Sequence, residues 1–219
     1  MIAYSGEKDN SYASDNNYFV EIRDIDDNGM MGEGRPVTVD FMNELVRGYS
    51  ESHSTTPYGR IPPNMLWCDP RKGSERYIWY NSPQKRMMFF KKSLQVENAK
   101  YNLPGVIYVA GGSSLSIYAY KDKKLTEKTE LYAAPFFNVT GANVCLGSAK
   151  IDKPRDLTYK NLLEYWEKKF WLTEFSHLGG GGNPTRSNLI LVTKAAKDKP
   201  FNLDELKPLN NLKLKDILK

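Results

Sequence analysis

Four side chains in this 219-residue sequence are of the kinds that attack carbonyls or ligate metals: Cys68, Cys145, His53 and His177. They stand apart. No two have the C-x-x-C or H-x-x-x-H spacing that gives zinc a pair of ligands from one element, so the sequence nominates no metal site. The glycine run 179 to 182 is no phosphate cradle either, because it follows a helical pattern instead of a strand and has no Gly-Lys-Ser/Thr behind it. It reads as a helix stop. Chemistry then rests on Cys145, within the uncharged stretch Leu131 to Ala149. From its residues alone this thiol has two readings: a small apolar core residue between Val144 and Leu146, or a nucleophile. With nothing charged between Glu130 and Lys150, any activation comes through space or from a substrate. Cys68, between Trp67 and Asp69, reads as a core or edge residue, and the carboxylates are too dispersed to nominate an acid and base pair.

Composition bounds what can hold these residues. The chain is 40% hydrophobic and 26% charged, with 4 Trp, 14 Tyr and 9 Phe, which supplies a real core and excludes wholesale disorder. Its length suits one domain with elaborations. No apolar run approaches the ~20 residues of a membrane span, and Met1 to Ser5 lead into acidic residues instead of a signal-like pattern. The expectation is a cytoplasmic protein that meets no membrane and keeps both cysteines as thiols, so that the Asn138-Val139-Thr140 sequon carries no meaning. The net charge of +5 is uneven, since residues 1–34 hold 2 basic and 8 acidic residues and the remainder holds 29 and 18. Such a basic body can attract nucleic acid or an acidic protein. Its lysines are scattered, however, and the densest group, Lys121 to Lys124, reads as a solvated turn, so nucleic acid is not the expected partner.

The elements that must position Cys145 follow from periodicity. Tyr18 to Arg23 alternates as an edge strand would, in an otherwise loosely ordered polar segment. Thr38 can cap a helix with Met42, Leu45, Val46 and Tyr49 on one packing face. Short strands are expected at 64–68, 75–80 and 85–91, separated by turn signals. Gly111 to Ser114 divide the uncharged stretch from Tyr101 to Tyr120 into a hairpin, with a central strand Gly105 to Ala110 and a half-buried partner from Leu115. A strand starts at Leu131. Thr158 caps the strongest helix, whose stripe is Tyr159, Leu162, Leu163, Trp166 and Phe170 and which runs on toward His177 until Gly179. Leu189 to Val192 reads as a short strand before a Lys- and Leu-rich tail. Helix, antiparallel meander and helix make an α+β arrangement.

The segments Ala134-Pro-Phe-Phe-Asn-Val139 and Val144-Cys-Leu-Gly147 are similar to the active-site segment of ubiquitin-conjugating enzymes. With Tyr165-Trp-Glu-Lys-Lys-Phe-Trp-Leu-Thr-Glu-Phe-Ser-His177 they resemble more closely the protein B family of the PRTRC plasmid-associated system, a bacterial branch of that superfamily. The likeness runs from about Arg35 to Gly180. It implies a ubiquitin-conjugating-like domain over 35–182, flanked by an acidic extension, 1–34, and a Lys/Leu-rich extension, 183–219.

It further implies that Cys145 is the thioester-forming cysteine and Asn138 the Asn of a His-Pro-Asn tripeptide whose first two positions are Phe136 and Phe137 here. His177, 32 residues after Cys145, would stand for the missing histidine. The implied activity is a transferase: Cys145 accepts a ubiquitin-like modifier from a ThiF-like activating enzyme and passes it to an acceptor amine or other nucleophile. No metal or cofactor belongs to the chain itself, and ATP is used by the activating enzyme. Asn138 would donate to an oxyanion or tie the loop backbone. His177 would take a proton from the acceptor, or sit as a helix-end residue near the last carbonyls. Extrapolated along the helix, it falls on the sheet-facing stripe, within reach of Cys145. Two rivals remain: an inactive conjugating-like binding module in a plasmid-associated complex, and a basic DNA-associated protein.

Overall fold

A computed structural model describes residues 2–5, 18–53, 56–147, 150–180 and 182–218, and the chain divides into two compact units, Met1–Ser54 and Thr55–Lys219. In the first, strands β1 (Ile2–Ser5), β2 (Tyr18–Ile22) and β3 (Arg35–Pro36) form an antiparallel sheet in the order β1-β2-β3. The strand expected at Tyr18 is thus central in its sheet and not an edge, because residues 2–5 pair along it. Residues 6–17, part of the segment expected to be loosely ordered, lie outside the described residues. Helix α1 (Val39–His53) begins where expected, with the Thr38 hydroxyl accepting the Phe41 amide at 3.2 Å. Its stripe residues Met42, Leu45 and Val46 are exposed.

The second unit carries Cys145. Its chain order is β4 (Met65–Asp69), β5 (Arg76–Asn81), β6 (Gln84–Phe90), β7 (Ala99–Leu103), β8 (Gly105–Gly111), β9 (Ser114–Tyr120), β10 (Glu130–Ala133), β11 (Val139–Thr140), β12 (Asn143–Val144), α2 (Tyr159–Trp171), β13 (Glu174–Phe175), α3 (Leu189–Ala195), β14 (Pro208–Lys213) and α4 (Leu214–Ile217). The main sheet runs β11-β12-β9-β8-β5-β4, with β10 joining β9 to β14. A smaller sheet, β13-β6-β7, contains one parallel pair, β13 with β6. This is an α+β fold with a largely antiparallel sheet. Among the described residues no helix is long and apolar enough to cross a membrane.

Alternation sorts the strands onto two cores. On one face Trp79, Val106, Tyr108, Ala110, Leu115 and Ile117 meet Leu162, Leu163, Trp166 and Phe170 of α2. On the other, Ile78, Ile107, Tyr120 and Leu131 are covered by Leu214 and Ile217. Residues 208–217 therefore complete the second core. One sequence expectation is corrected here: Leu189 to Val192 is the first turn of α3, not a strand. A four-residue apolar run fits either state, and the Asn188 side chain decides by capping the Ile190 amide at 2.9 Å.

A polar hub crosses the first core. Glu167 of α2 accepts from Trp79 Nε1 at 3.0 Å and Asn81 Nδ2 at 2.9 Å, and pairs with Arg86. The Arg86 guanidinium lies 5.2 Å over the Trp171 ring, whose Nε1 donates to the Tyr108 hydroxyl at 3.0 Å. Burial, aided by Glu167, raises the Tyr108 phenol well above its ordinary pKa and keeps it neutral. Glu167→Ala strands three donors at once, and we expect it to lower the unfolding free energy by about 2–4 kcal/mol. Urea denaturation reads this directly. A loss below about 1 kcal/mol, the range of exposed ion pairs, would mean that apolar packing alone holds α2 on the sheet.

Candidate functional site

The segment before Cys145 is anchored by aromatic packing. Phe136 is buried edge-on against Phe170 and Trp171, at centroid distances of 5.7 and 5.1 Å, and Phe137 packs on Phe90 at 6.0 Å. The two positions where the resemblance departs from His-Pro are therefore core positions. Asn138 follows in the left-handed region, φ 59°, which Asn tolerates better than other side chains bearing a Cβ. The chain then turns through Gly141, φ 63°, to make the β11–β12 hairpin. The Cys145 amide closes that hairpin by donating to the Asn138 carbonyl at 2.7 Å. On its other side β12 is tied to β9, with Ser116 Oγ donating to Asn143 Oδ1 at 2.9 Å. Cys145 is exposed at the end of this braced hairpin.

Asn138 itself is buried, 3% exposed, and its carboxamide is committed to the segment after α2. Nδ2 donates to the Glu174 carbonyl at 2.9 Å, while Oδ1 accepts the Ser176 amide at 2.9 Å and the His177 amide at 3.3 Å. The Asn138 amide donates to the His177 carbonyl at 2.9 Å. Of the two roles open for this residue, the geometry is that of a tie between loops. The backbone of this one residue thus bonds to both His177 and Cys145, its amide to the first and its carbonyl to the second.

His177 is not at a helix end. Helix α2 stops at Trp171, where Leu172 caps it, and Glu174–Phe175 then pairs with β6, the Phe175 carbonyl accepting the Lys91 amide at 2.9 Å. The helical extrapolation fails because α2 ends six residues before His177 and strand pairing captures the chain from Glu174. The imidazole is exposed, its Nδ1 lies 2.9 Å from Ser176 Oγ, and no hydrogen bond joins it to the Cys145 thiol. The Ser176 hydroxyl is also 3.2 Å from Asn138 Oδ1, which can only accept. Its proton is therefore assigned to Oδ1, and its oxygen accepts from His177 Nδ1–H. In the neutral ring that assignment leaves Nε2 as the nitrogen without a proton.

Gly179 is not the helix stop expected of it, since α2 has already ended at Trp171. A Cβ on Gly179 would lie 2.0 Å from the Val139 carbonyl oxygen, so only glycine lets this segment close on β11. Gly147, φ 58°, similarly fits against Thr173, where a Cβ would come within 2.9 Å of Oγ1. Ser176 carries no sequence signal beyond standing next to a histidine. Cys68 is half-buried in β4 against the core, beside the Tyr159 hydroxyl, whose pKa is raised by burial and by that thiol. Among the described residues no group of three or more His, Cys, Asp or Glu could hold a metal ion.

An α+β fold that presents one thiol on a braced hairpin is consistent with the conjugating-enzyme class. The model of prokaryotic E2 family D matches residues 41–209, well over half of the chain, and the protein belongs to that family. No curated protein and no solved structure matches it.

Two outcomes follow from the tie. Asn138→Ala removes four side-chain hydrogen bonds and leaves a left-handed alanine, and we expect a loss of about 2–4 kcal/mol. Asn138→Gly, which relieves the backbone, should lose less; equal losses would show that the carboxamide alone carries the effect. In limited alkylation of the folded protein, Cys145 should label well ahead of Cys68. Preferential labelling of Cys68, read by peptide mass spectrometry, would contradict the assignment.

Proposed function

We propose that this protein carries a ubiquitin-like modifier as a thioester on Cys145 and passes it to an acceptor nucleophile. The observation that supports this best is the exposed thiol on a hairpin whose last backbone bond and whose neighbouring histidine segment share one anchor, Asn138. Thioester exchange needs an accessible thiol on a rigid support more than an acidic one. In charging, the Cys145 sulfur attacks the modifier's C-terminal carbonyl on a ThiF-like activating enzyme. A carbon–sulfur bond forms to Cys145, the bond to the activating enzyme breaks, and its thiolate takes up the proton that Cys145 releases. In discharge, an acceptor amine attacks the same carbonyl. The carbon–nitrogen bond forms, Cys145 leaves as thiolate, and the amine proton goes to His177 Nε2. ATP is consumed by the activating enzyme, and the chain itself needs no metal or cofactor.

Within the family, the Ala134–Val139 and Tyr165–His177 segments favour kinship with protein B of the PRTRC plasmid-associated system. A reducing cytoplasm, where both thiols persist, is the setting this chemistry requires. One observation favours a second reading, a binding module without transfer: no hydrogen bond joins the Cys145 thiol to the imidazole.

Reconstitution with the modifier, its activating enzyme and ATP, followed by a non-reducing gel, separates the two. We expect a thiol-sensitive adduct that Cys68→Ser leaves intact, and that Cys145→Ser abolishes or converts to a thiol-resistant ester. Normal charging of Cys145→Ala would move the carrier elsewhere. His177→Ala should slow discharge about a hundredfold while charging holds, because a positioned base acts only when the acceptor loses its proton. Ser176→Ala should slow discharge less than His177→Ala, since it frees the imidazole tautomer without removing the base. Equal losses in both steps, with a lower melting temperature, would make His177 structural.

A further inference from the structure

A thioester under attack becomes tetrahedral, and its carbonyl oxygen then carries a negative charge that a fixed donor can stabilise. Asn138 does not supply that donor, because its Nδ2 is spent on the Glu174 carbonyl in the interior. The Cys145 amide is spent as well, on the Asn138 carbonyl at 2.7 Å. In the neutral His177 ring the proton on Nδ1 goes to Ser176 Oγ, which leaves Nε2 to accept and not to donate.

The β11–β12 hairpin places one more carboxamide beside the thiol. Val139 pairs with Val144 and Thr140 with Asn143, and the Cys145 amide bond carries the pairing on to Asn138. Side chains therefore alternate through Cys145. Val144 and Leu146 pack on the first core, while Asn143 and Cys145 are exposed, so the last two share the opposite face. Ser116, paired with Asn143, lies opposite Val109, which packs on the second core, and that face is the one away from α2. Residues two apart on a strand have α-carbons roughly 6–7 Å apart. An Asn side chain and an acyl group on cysteine together span that interval, with room for a donor about 3 Å from the oxygen it stabilises. The Asn143 carboxamide is also oriented. Ser116 Oγ donates to its Oδ1 at 2.9 Å, and Nδ2 has no partner among the described residues. Both N–H bonds of Nδ2 are left for a substrate.

We propose that Asn143 is a catalytic residue of the transfer, donating through Nδ2 to the oxyanion that forms on the acyl carbonyl at Cys145, and that Ser116 positions it. The role rests on the carrier reading. When the acceptor amine attacks, the carbon–nitrogen bond forms and the carbonyl π pair moves onto oxygen, where Asn143 meets the charge. The pair then returns, the carbon–sulfur bond breaks and Cys145 leaves as thiolate, while the amine proton goes to His177 Nε2. Asn143 neither gains nor loses a proton.

The test uses no activating enzyme. The full chain carrying Cys68→Ser is acylated on Cys145 by exchange with an acetyl-Gly-Gly benzyl thioester, freed of reagent and given lysine as the acceptor amine. Loss of the acyl group is followed by intact mass. Failure of modifier charging in the reconstitution would leave this comparison standing, so the two readings fail separately. We expect Asn143→Ala to slow transfer about a hundredfold, the effect of removing one oxyanion donor, with no change in melting temperature. Asn143→Asp, similar in shape but acceptor-only when ionised, should be at least as slow. Ser116→Ala should slow transfer less, and should add nothing to Asn143→Ala, because a positioning residue acts only through the residue it holds. The loss at Asn143 should be constant from about pH 6 to 9, since a carboxamide does not titrate, whereas the loss at His177 should follow imidazole ionisation. Transfer from Asn143→Ala or Asn143→Asp at the parent rate would overturn the proposal, and so would a Ser116→Ala loss that persists once Asn143 is gone.

Discussion

The contact on which this site depends is the carboxamide of Asn138. Its oxygen and nitrogen hold the Glu174, Ser176 and His177 backbones, while its own amide and carbonyl bond to His177 and Cys145. The two segments it joins are 36 to 39 residues apart in sequence. Without such a tie, each would meet the other only at the entropic cost of ordering two loops. The left-handed φ of Asn138 turns its amide and carbonyl toward different neighbours, so one residue serves both sides. The consequence is chemical as well as structural. The acceptor-only Oδ1 orients the Ser176 hydroxyl, which in turn leaves Nε2 of His177 as the nitrogen available for a proton.

A tie of this kind is only as rigid as what stands behind it. On one side Phe136 and Phe137 are sunk into the core, and on the other Phe175 pairs with β6 directly after α2. Helix α2 is itself fixed to the sheet by Glu167, whose acceptors serve Trp79, Asn81 and Arg86. Buried polar networks that are fully satisfied specify one arrangement of packed elements better than apolar contact alone. Gly179 completes the frame by letting the segment after His177 lie directly on the Val139 carbonyl.

Much of this was legible from local signals. The strands from β4 to β6 and the β8–β9 hairpin were marked by alternation and by turn residues, and both long helices began at the threonines expected to cap them. What could not be read locally depends on partners distant in sequence. Helix α2 ends early because Glu174 and Phe175 find β6, a parallel pairing with no signature inside residues 172–177. Leu189 to Val192 read as a strand because four apolar residues do not distinguish the two periods. Glu167 does carry a sequence sign of its hub, since a carboxylate on the Leu163 and Phe170 face of an apolar stripe must find buried donors. The Asn138 tie had no sequence sign beyond the resemblance.

The central claim, that Cys145 is where the modifier is carried, is tested most directly by peptide mass spectrometry. The protein is charged with modifier, activating enzyme and ATP, quenched in acid and digested without reductant. The account predicts the modifier's C-terminal residues joined to the peptide that contains Cys145, and loss of that mass on treatment with hydroxylamine. The modifier found on Cys68 or on a lysine, with the Cys145 peptide unmodified throughout, would contradict it.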